Sequence, residues 1–171
     1  LAAKESLEDL SRTDALTSLP NRRHAEEFAI ACHREFQRHG GTYALAVLDI
    51  DFFKTVNDLH GHEAGDMLLR RLGEEMTAML RAGDMVARWG GEEFLFVLPH
   101  TDAASAGKMV ECIRERIAAA AYVCRDARLT VTVTAGVAAA AAGDAFDDVL
   151  RRADEALYRG KAEGRNRVVA V

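Results

Sequence analysis

Two pairs of carboxylates stand beside short apolar runs in this chain. Asp49 and Asp51 follow residues 44–48, and Glu92 and Glu93 lie in Gly90-Gly91-Glu92-Glu93-Phe94, between two further apolar runs. Carboxylates at strand ends suit Mg²⁺, a hard ion that takes one or two of them and leaves positions for substrate phosphates. Asp49 and Asp51 are two apart, so their side chains share a face if the strand continues through them. Glu92 and Glu93 are neighbours, so at most one of them faces that way while the chain is extended. The chemistry open to such a set is metal-assisted phosphoryl transfer, in which a hydroxyl is activated and a phosphate clamped. Solvated acidic turns are equally compatible with the spacing.

Basic residues complete the pattern. In Phe52-Phe53-Lys54 a turn after Asp51 could offer backbone amides to a phosphate, with Lys54 as a point charge for the developing negative charge. Lys161 and Arg165 are four apart, on one helical face if the last helix persists that far. They could clamp a phosphate or simply satisfy a helix C-terminus.

The elements that must carry these residues follow from apolar periodicity. Asn21 is placed to cap a helix marked by Ala25, Phe28, Ala29, Cys32 and Phe36 and ended by Gly40-Gly41. Residues 44–48 read as a buried strand, 62–80 as a helix, and 85–89 with 94–98 as a hairpin around Gly90-Gly91. Residues 102–121 read as a helix, 130–137 as an amphipathic strand, and Val149, Leu150, Ala153, Ala156 and Leu157 as a last helix before a strand at 168–171. Hairpin-linked strands with helices between them predict an α+β fold, a mostly antiparallel central sheet flanked by helices. Ala3, Leu7 and Leu10 have a 4-3 spacing that fits the tail of a coiled coil or one amphipathic turn.

Composition narrows the classes. A chain of 171 residues fits one domain, and its formal charge of -5 argues against broad binding to nucleic acid or anionic membranes. No apolar run approaches the ~20 residues that span a bilayer. Cys32, Cys112 and Cys124 match no zinc spacing. Cys32 and Cys112 read as small buried hydrophobes, implying a reducing compartment.

Asp49-Ile50-Asp51-Phe52-Phe53-Lys54, followed by Asn57-Asp58, Gly61-His62 and Gly65-Asp66, resembles the GGDEF family of diguanylate cyclases. Gly90-Gly91-Glu92-Glu93-Phe94 is similar to its name motif in the GGEEF form. Residues 14–23 resemble the family's entry motif, and Ala156-Leu157-Tyr158, Lys161 and Gly164-Arg165-Asn166-Arg167-Val168 its closing one. Gly160 departs from the pattern, standing where the family more often has alanine, and could loosen the last helical turn.

The resemblance implies a fold similar to class III nucleotide cyclases and polymerase palms. Residues 14–171 would form the cyclase domain and residues 1–13 the end of an upstream linker helix. It implies condensation of two GTP into cyclic di-GMP with release of two pyrophosphates, using Mg²⁺ or Mn²⁺, two ions per active site with substrate bound. Asp49, the Ile50 carbonyl and Glu92 would hold metal, Glu92 or Glu93 would help deprotonate the ribose 3′-hydroxyl, and Lys54 would stabilise the transition state. Phe53, Asn57, His62 and Asp66 would line the guanosine site, with Lys161 and Arg165 on the phosphates. A homodimer is implied because each domain carries one such set. Arg81-Ala82-Gly83-Asp84 resembles the family's inhibitory product site, with Arg88 as a possible helper. The domain is expected in the cytoplasm, within a soluble or membrane-anchored protein that carries an upstream sensory or regulatory part.

Overall fold

The computed structural model describes residues 11–171, so the heptad-like positions Ala3, Leu7 and Leu10 lie outside it. In chain order the elements are α1 (Arg22–His39), β1 (Tyr43–Ile50), α2 (Phe53–His60), α3 (His62–Ala78), β2 (Met85–Arg88), β3 (Glu93–Pro99) and α4 (Ala103–Ala119). Then follow β4 (Tyr122–Cys124), β5 (Ala127–Leu129), β6 (Val133–Ala139), α5 (Phe146–Ala162) and β7 (Val168–Ala170). The main sheet runs β2-β3-β1-β6-β7, antiparallel except for the parallel β6–β7 pair, and β4–β5 forms a separate ribbon. The expected α+β architecture is observed.

Strand β1 is buried at every position, which requires cover on both sheet faces. Side chains alternate along a strand. Ala44, Ala46, Leu48 and Ile50 therefore join one core with Leu68, Leu72 and Met76 of α3 and Val110, Ile113 and Ile117 of α4. Tyr43, Leu45 and Val47 join the other with Ala25 and Ala29 of α1 and Val149, Ala153 and Leu157 of α5. Each large apolar side chain so buried contributes roughly 1.5–3 kcal/mol. Asn21 caps α1, its side chain accepting from the His24 amide at 3.0 Å, and Gly40 closes that helix at φ 73°.

Strand β6 departs from the expectation of an amphipathic strand at 130–137. It starts at Val133 and is buried on both faces, because α5 lies directly on its outer side. A Cβ on Gly136 would meet the Ala153 carbonyl at 2.1 Å, so only glycine admits the helix there. Gly160, at the other end of α5, has the same role: a Cβ would stand 2.8 Å from Thr134 Cγ2. The residue expected to loosen the last turn instead lets it press against the sheet.

Three elements escape the sequence reading. The segment after Phe52 is the short helix α2 rather than a turn, and the stretch before β6 holds the β4–β5 ribbon. Cys112 is exposed, contrary to the expectation of burial, whereas Cys32 is half-buried against the α1 side of the core. Burial raises the Cys32 thiol pKa to about 11, so it is inert at neutral pH.

Candidate active site

Strand register builds the acidic cluster. Asp49 lies directly opposite Glu93 across the β1–β3 pair, and the Ile50 amide donates to the Glu92 carbonyl at 3.3 Å. Directly paired residues present their side chains to the same face, here the face covered by α5. Glu92 sits in the turn rather than in extended chain, so both glutamates come within electrostatic reach of Asp49. The expectation that at most one could do so assumed a continuous strand.

The glycine pair before them closes the hairpin tightly, with the Trp89 and Gly90 amides donating to the Glu93 carbonyl at 2.8 and 3.2 Å. Neither glycine has a positive φ. A Cβ on Gly90 would stand 3.0 Å from the Glu93 Oε2, so any larger residue there would push the end of that side chain aside.

Both glutamates hold their protons more tightly than an ordinary carboxyl. Burial is the larger cause, followed by the Asp49 charge, with Lys161 opposing both. Lys161 donates to Asp49 Oδ2 at 2.7 Å, and the Asp49 side chain is only 8% exposed. Among the described residues no three His, Cys, Asp or Glu side chains converge as a metal cage. Asp49, Glu92 and the Ile50 carbonyl would offer a partial shell, the ligand set Mg²⁺ takes when phosphates supply the rest. The donor chemistry therefore fits that ion.

Asp51 does not belong to this cluster. Its carboxylate accepts from Thr132 Oγ1 at 2.7 Å, Thr134 Oγ1 at 2.6 Å and the Asn166 amide at 3.0 Å. It is a buried tie between the sheet and the turn after α5. That turn is left-handed at two consecutive non-glycine residues, Arg165 at φ 63° and Asn166 at φ 46°. Such backbone persists only where surrounding bonds enforce it. Arg165 is thus beyond the helix and not on one face with Lys161. Its guanidinium lies over the Phe52 ring, 4.7 Å from the centroid.

Helices α2 and α3 meet at Gly61, whose φ of 87° makes the sharp turn between them. A Cβ on Gly65 would stand 1.9 Å from Asn57 Oδ1 and 3.1 Å from Phe53 Cζ. Phe53, Asn57 and Gly65 therefore converge, next to Asp66 on α3. Asn57 Oδ1 is buried without a hydrogen-bond partner among the described residues, as His24 Nδ1 and His33 Nε2 also are, so it is open to an outside donor. His62 and Asp66 are exposed on the first turns of α3, and Lys54 is exposed on the first turn of α2. The Phe52 N-cap of α2 has no capping side-chain bond, leaving first-turn amides for another acceptor.

Arg81 and Asp84 form one unit: Arg81 Nε donates to Asp84 Oδ2 at 3.2 Å and its Nη2 to Thr101 Oγ1 at 2.7 Å. Arg88 has a different task. It bonds both Asp14 oxygens, at 3.3 and 3.2 Å, and the Gly91 carbonyl at 2.9 Å, tying the entry loop to the glycine turn. The sequence reading also missed Arg22, which stacks 4.1 Å from the Trp89 centroid and favours ionised Glu93.

A family model described as "Diguanylate cyclase, GGDEF domain" matches residues 11–167. The chain is 42% identical to diguanylate cyclase DgcP of Pseudomonas aeruginosa over 91% of its own length and 23% of that relative's. It is thus similar to a minor part of a longer protein. Among solved structures, the GGDEF domain of DgcB from Caulobacter crescentus, in complex with c-di-GMP, superposes with a TM-score of 0.89 at 36% identity, covering 92% of each chain. Diguanylate cyclase SiaD of Pseudomonas aeruginosa, in complex with its activator SiaC, gives a TM-score of 0.89 at 40% identity, covering 98% of this chain and 65% of that one.

Proposed function

Because this chain belongs to the GGDEF family of diguanylate cyclase domains, we propose that it condenses two GTP molecules into cyclic di-GMP with release of two pyrophosphates. The observation that carries the reading is the register of Asp49 against Glu93, with Glu92 beside Ile50 at the same sheet end. In this reading Asp49, Glu92 and the Ile50 carbonyl hold Mg²⁺ or Mn²⁺, two ions per site with substrate bound. The ions would supply charge to the triphosphate and acidity to the attacking hydroxyl.

The chain's own groups do the rest. Asn57 and Asp66 read the guanine edge beside Phe53 and His62. Asp66 accepts from base N–H groups and the Asn57 amide bonds the ring. Lys54, Lys161 and Arg165 hold the phosphates. Glu92 takes the 3′-hydroxyl proton, with Glu93 as its neighbour. The 3′-oxygen of one GTP then bonds the α-phosphorus of the other, the bond to the β-phosphate breaks, and pyrophosphate leaves. Repetition in the opposite sense closes the ring. One domain presents one GTP, so the reaction needs a homodimer.

We further read residues 14–171 as the cyclase domain of a longer protein whose sensory or regulatory part arranges that dimer. The chain spans less than half the length of curated relatives such as DgcP and PleD, which accords with this. Among the described residues no helix is long and apolar enough to cross a membrane. A cytoplasmic domain is proposed on the grounds of its substrate. Arg81 and Asp84 are proposed as the inhibitory product site, with the guanidinium pre-aimed by its carboxylate. Incubation with GTP and Mg²⁺, with products resolved by chromatography and mass, tests the reading. Cyclic di-GMP formed more than linearly with protein concentration is expected. Bound but unconverted GTP, even in a protein forced to dimerise, would make this a nucleotide-binding module.

A further inference from the structure

We propose that Lys161 holds the metal's place on Asp49 and releases it only to a triphosphate, so that divalent cation and nucleotide load together. This rests on the metal assignment above. The ammonium stands 2.7 Å from Asp49 Oδ2, on a carboxylate that is nearly buried and flanked by Glu92 and Glu93. Three carboxylates gathered at one sheet end require a counter-charge, and Lys161 supplies it.

A second cation on Asp49 must therefore displace or repel the first. The backbone beneath Lys161 cannot yield to allow this. Gly160 packs against Thr134, and α5 lies on the β6 backbone at Gly136, so the last turn is held to the sheet. Only the lysine stem can move. Its four carbons are flexible and its ammonium makes point contacts, so it can be handed to a new partner, unlike a two-pronged arginine. A triphosphate offers that partner together with the oxygens the metal still lacks. Metal alone brings neither, because the ligands assigned to it are two carboxylates and one carbonyl. Lys161 thereby guards the carboxylates against a cation that arrives without nucleotide.

The test is Mn²⁺ binding, read by the loss of the free-ion electron paramagnetic resonance signal. It compares the unmodified chain with Lys161→Met, Lys161→Gln and Asp49→Asn, with and without an α,β-methylene analogue of GTP. The unmodified chain should bind Mn²⁺ weakly alone and well with the analogue. Lys161→Met should strengthen nucleotide-free binding about ten- to hundredfold, the equivalent of one charge-assisted hydrogen bond that the ion no longer has to break. Lys161→Gln repeats the comparison should the methionine variant fail to fold. Unchanged nucleotide-free affinity in both variants, with the analogue still recruiting Mn²⁺ through Asp49, would overturn the inference and leave the metal assignment standing. Recruitment by the analogue that is indifferent to Asp49→Asn would overturn the assignment itself, and the inference with it.

Discussion

The Asp51 carboxylate accepts a hydrogen bond from the Asn166 amide at 3.0 Å, across 115 positions of sequence. The same carboxylate also satisfies two threonine hydroxyls of the strand segment beneath. Asp51→Ala would leave both hydroxyls without their acceptor and the Asn166 amide with only Thr134 Oγ1, at 3.0 Å, and a buried unsatisfied group costs about 1–3 kcal/mol. A loss of about 3 kcal/mol in urea unfolding is expected, with a smaller loss for Asp51→Asn. Because the bond holds the turn that aims Arg165, the asparagine variant should raise the KM for GTP more than it lowers kcat. Equal falls in kcat and kcat/KM, with KM unmoved, would contradict this role.

Gly65→Ala introduces a Cβ 1.9 Å from Asn57 Oδ1. The asparagine must swing away, so the base loses its reader while the surrounding core is little disturbed. An increase of about ten- to hundredfold in KM for GTP is expected, the size of one or two lost hydrogen bonds. Discrimination between GTP and ATP should narrow with it. Undiminished discrimination would remove Asn57 from the guanine site.

Glu92 and Glu93 carry a pH dependence with a definite sign. Burial first, and the Asp49 charge second, raise both above the ordinary glutamate value of 4.5. A raised folded-state value contributes stability that is fully present below the unfolded value and is lost as pH rises through the folded one. Glu92→Gln stays neutral throughout. Its melting temperature should therefore gain on that of the unmodified chain as pH rises from below 4.5 to neutrality. Mn²⁺ binding in the presence of the GTP analogue should run the other way and weaken as pH falls through the raised values. A parallel pH profile for the two melting temperatures would contradict the electrostatic account.

Much of this was legible in residue spacing. The apolar periods place α1, α3, α4 and α5 within a few residues, and Gly90-Gly91 between two apolar runs marks the β2–β3 hairpin. The four motif blocks point to the Asp49, Asn57 and Glu92 regions. What spacing does not carry is contact across the chain. Asp49 and Asp51 look equivalent in sequence, yet one meets Lys161 and the other Asn166, partners more than a hundred positions away. Arg88 looked like a neighbour of the Arg81 pair but is claimed by Asp14 in the entry loop. Helix α2 has only eight residues, too few for a period to declare itself. Gly160 reads as a flaw in a helix until Thr134 is seen opposite.

Arg81 is exposed on its outer side and held on its inner side by Asp84 and Thr101. As the proposed product site, Arg81→Ala should weaken inhibition by cyclic di-GMP about tenfold or more, the loss of one charge-assisted pair. The initial rate should stay within about twofold, since Arg81 has no place among the groups that hold substrate. Unchanged inhibition would reduce the Arg81–Asp84 pair to a cap on the turn before β2.

The most direct measurement is product formation from GTP and Mg²⁺ by the unmodified chain and by Glu92→Gln, resolved by mass. Binding of the α,β-methylene analogue is measured alongside. The account predicts cyclic di-GMP and pyrophosphate from the first. From the second it predicts no product above the GTP blank, although the guanine reader Asn57 still retains nucleotide. Equal rates of cyclic di-GMP formation in the two would contradict the assignment of metal binding and proton removal to Glu92.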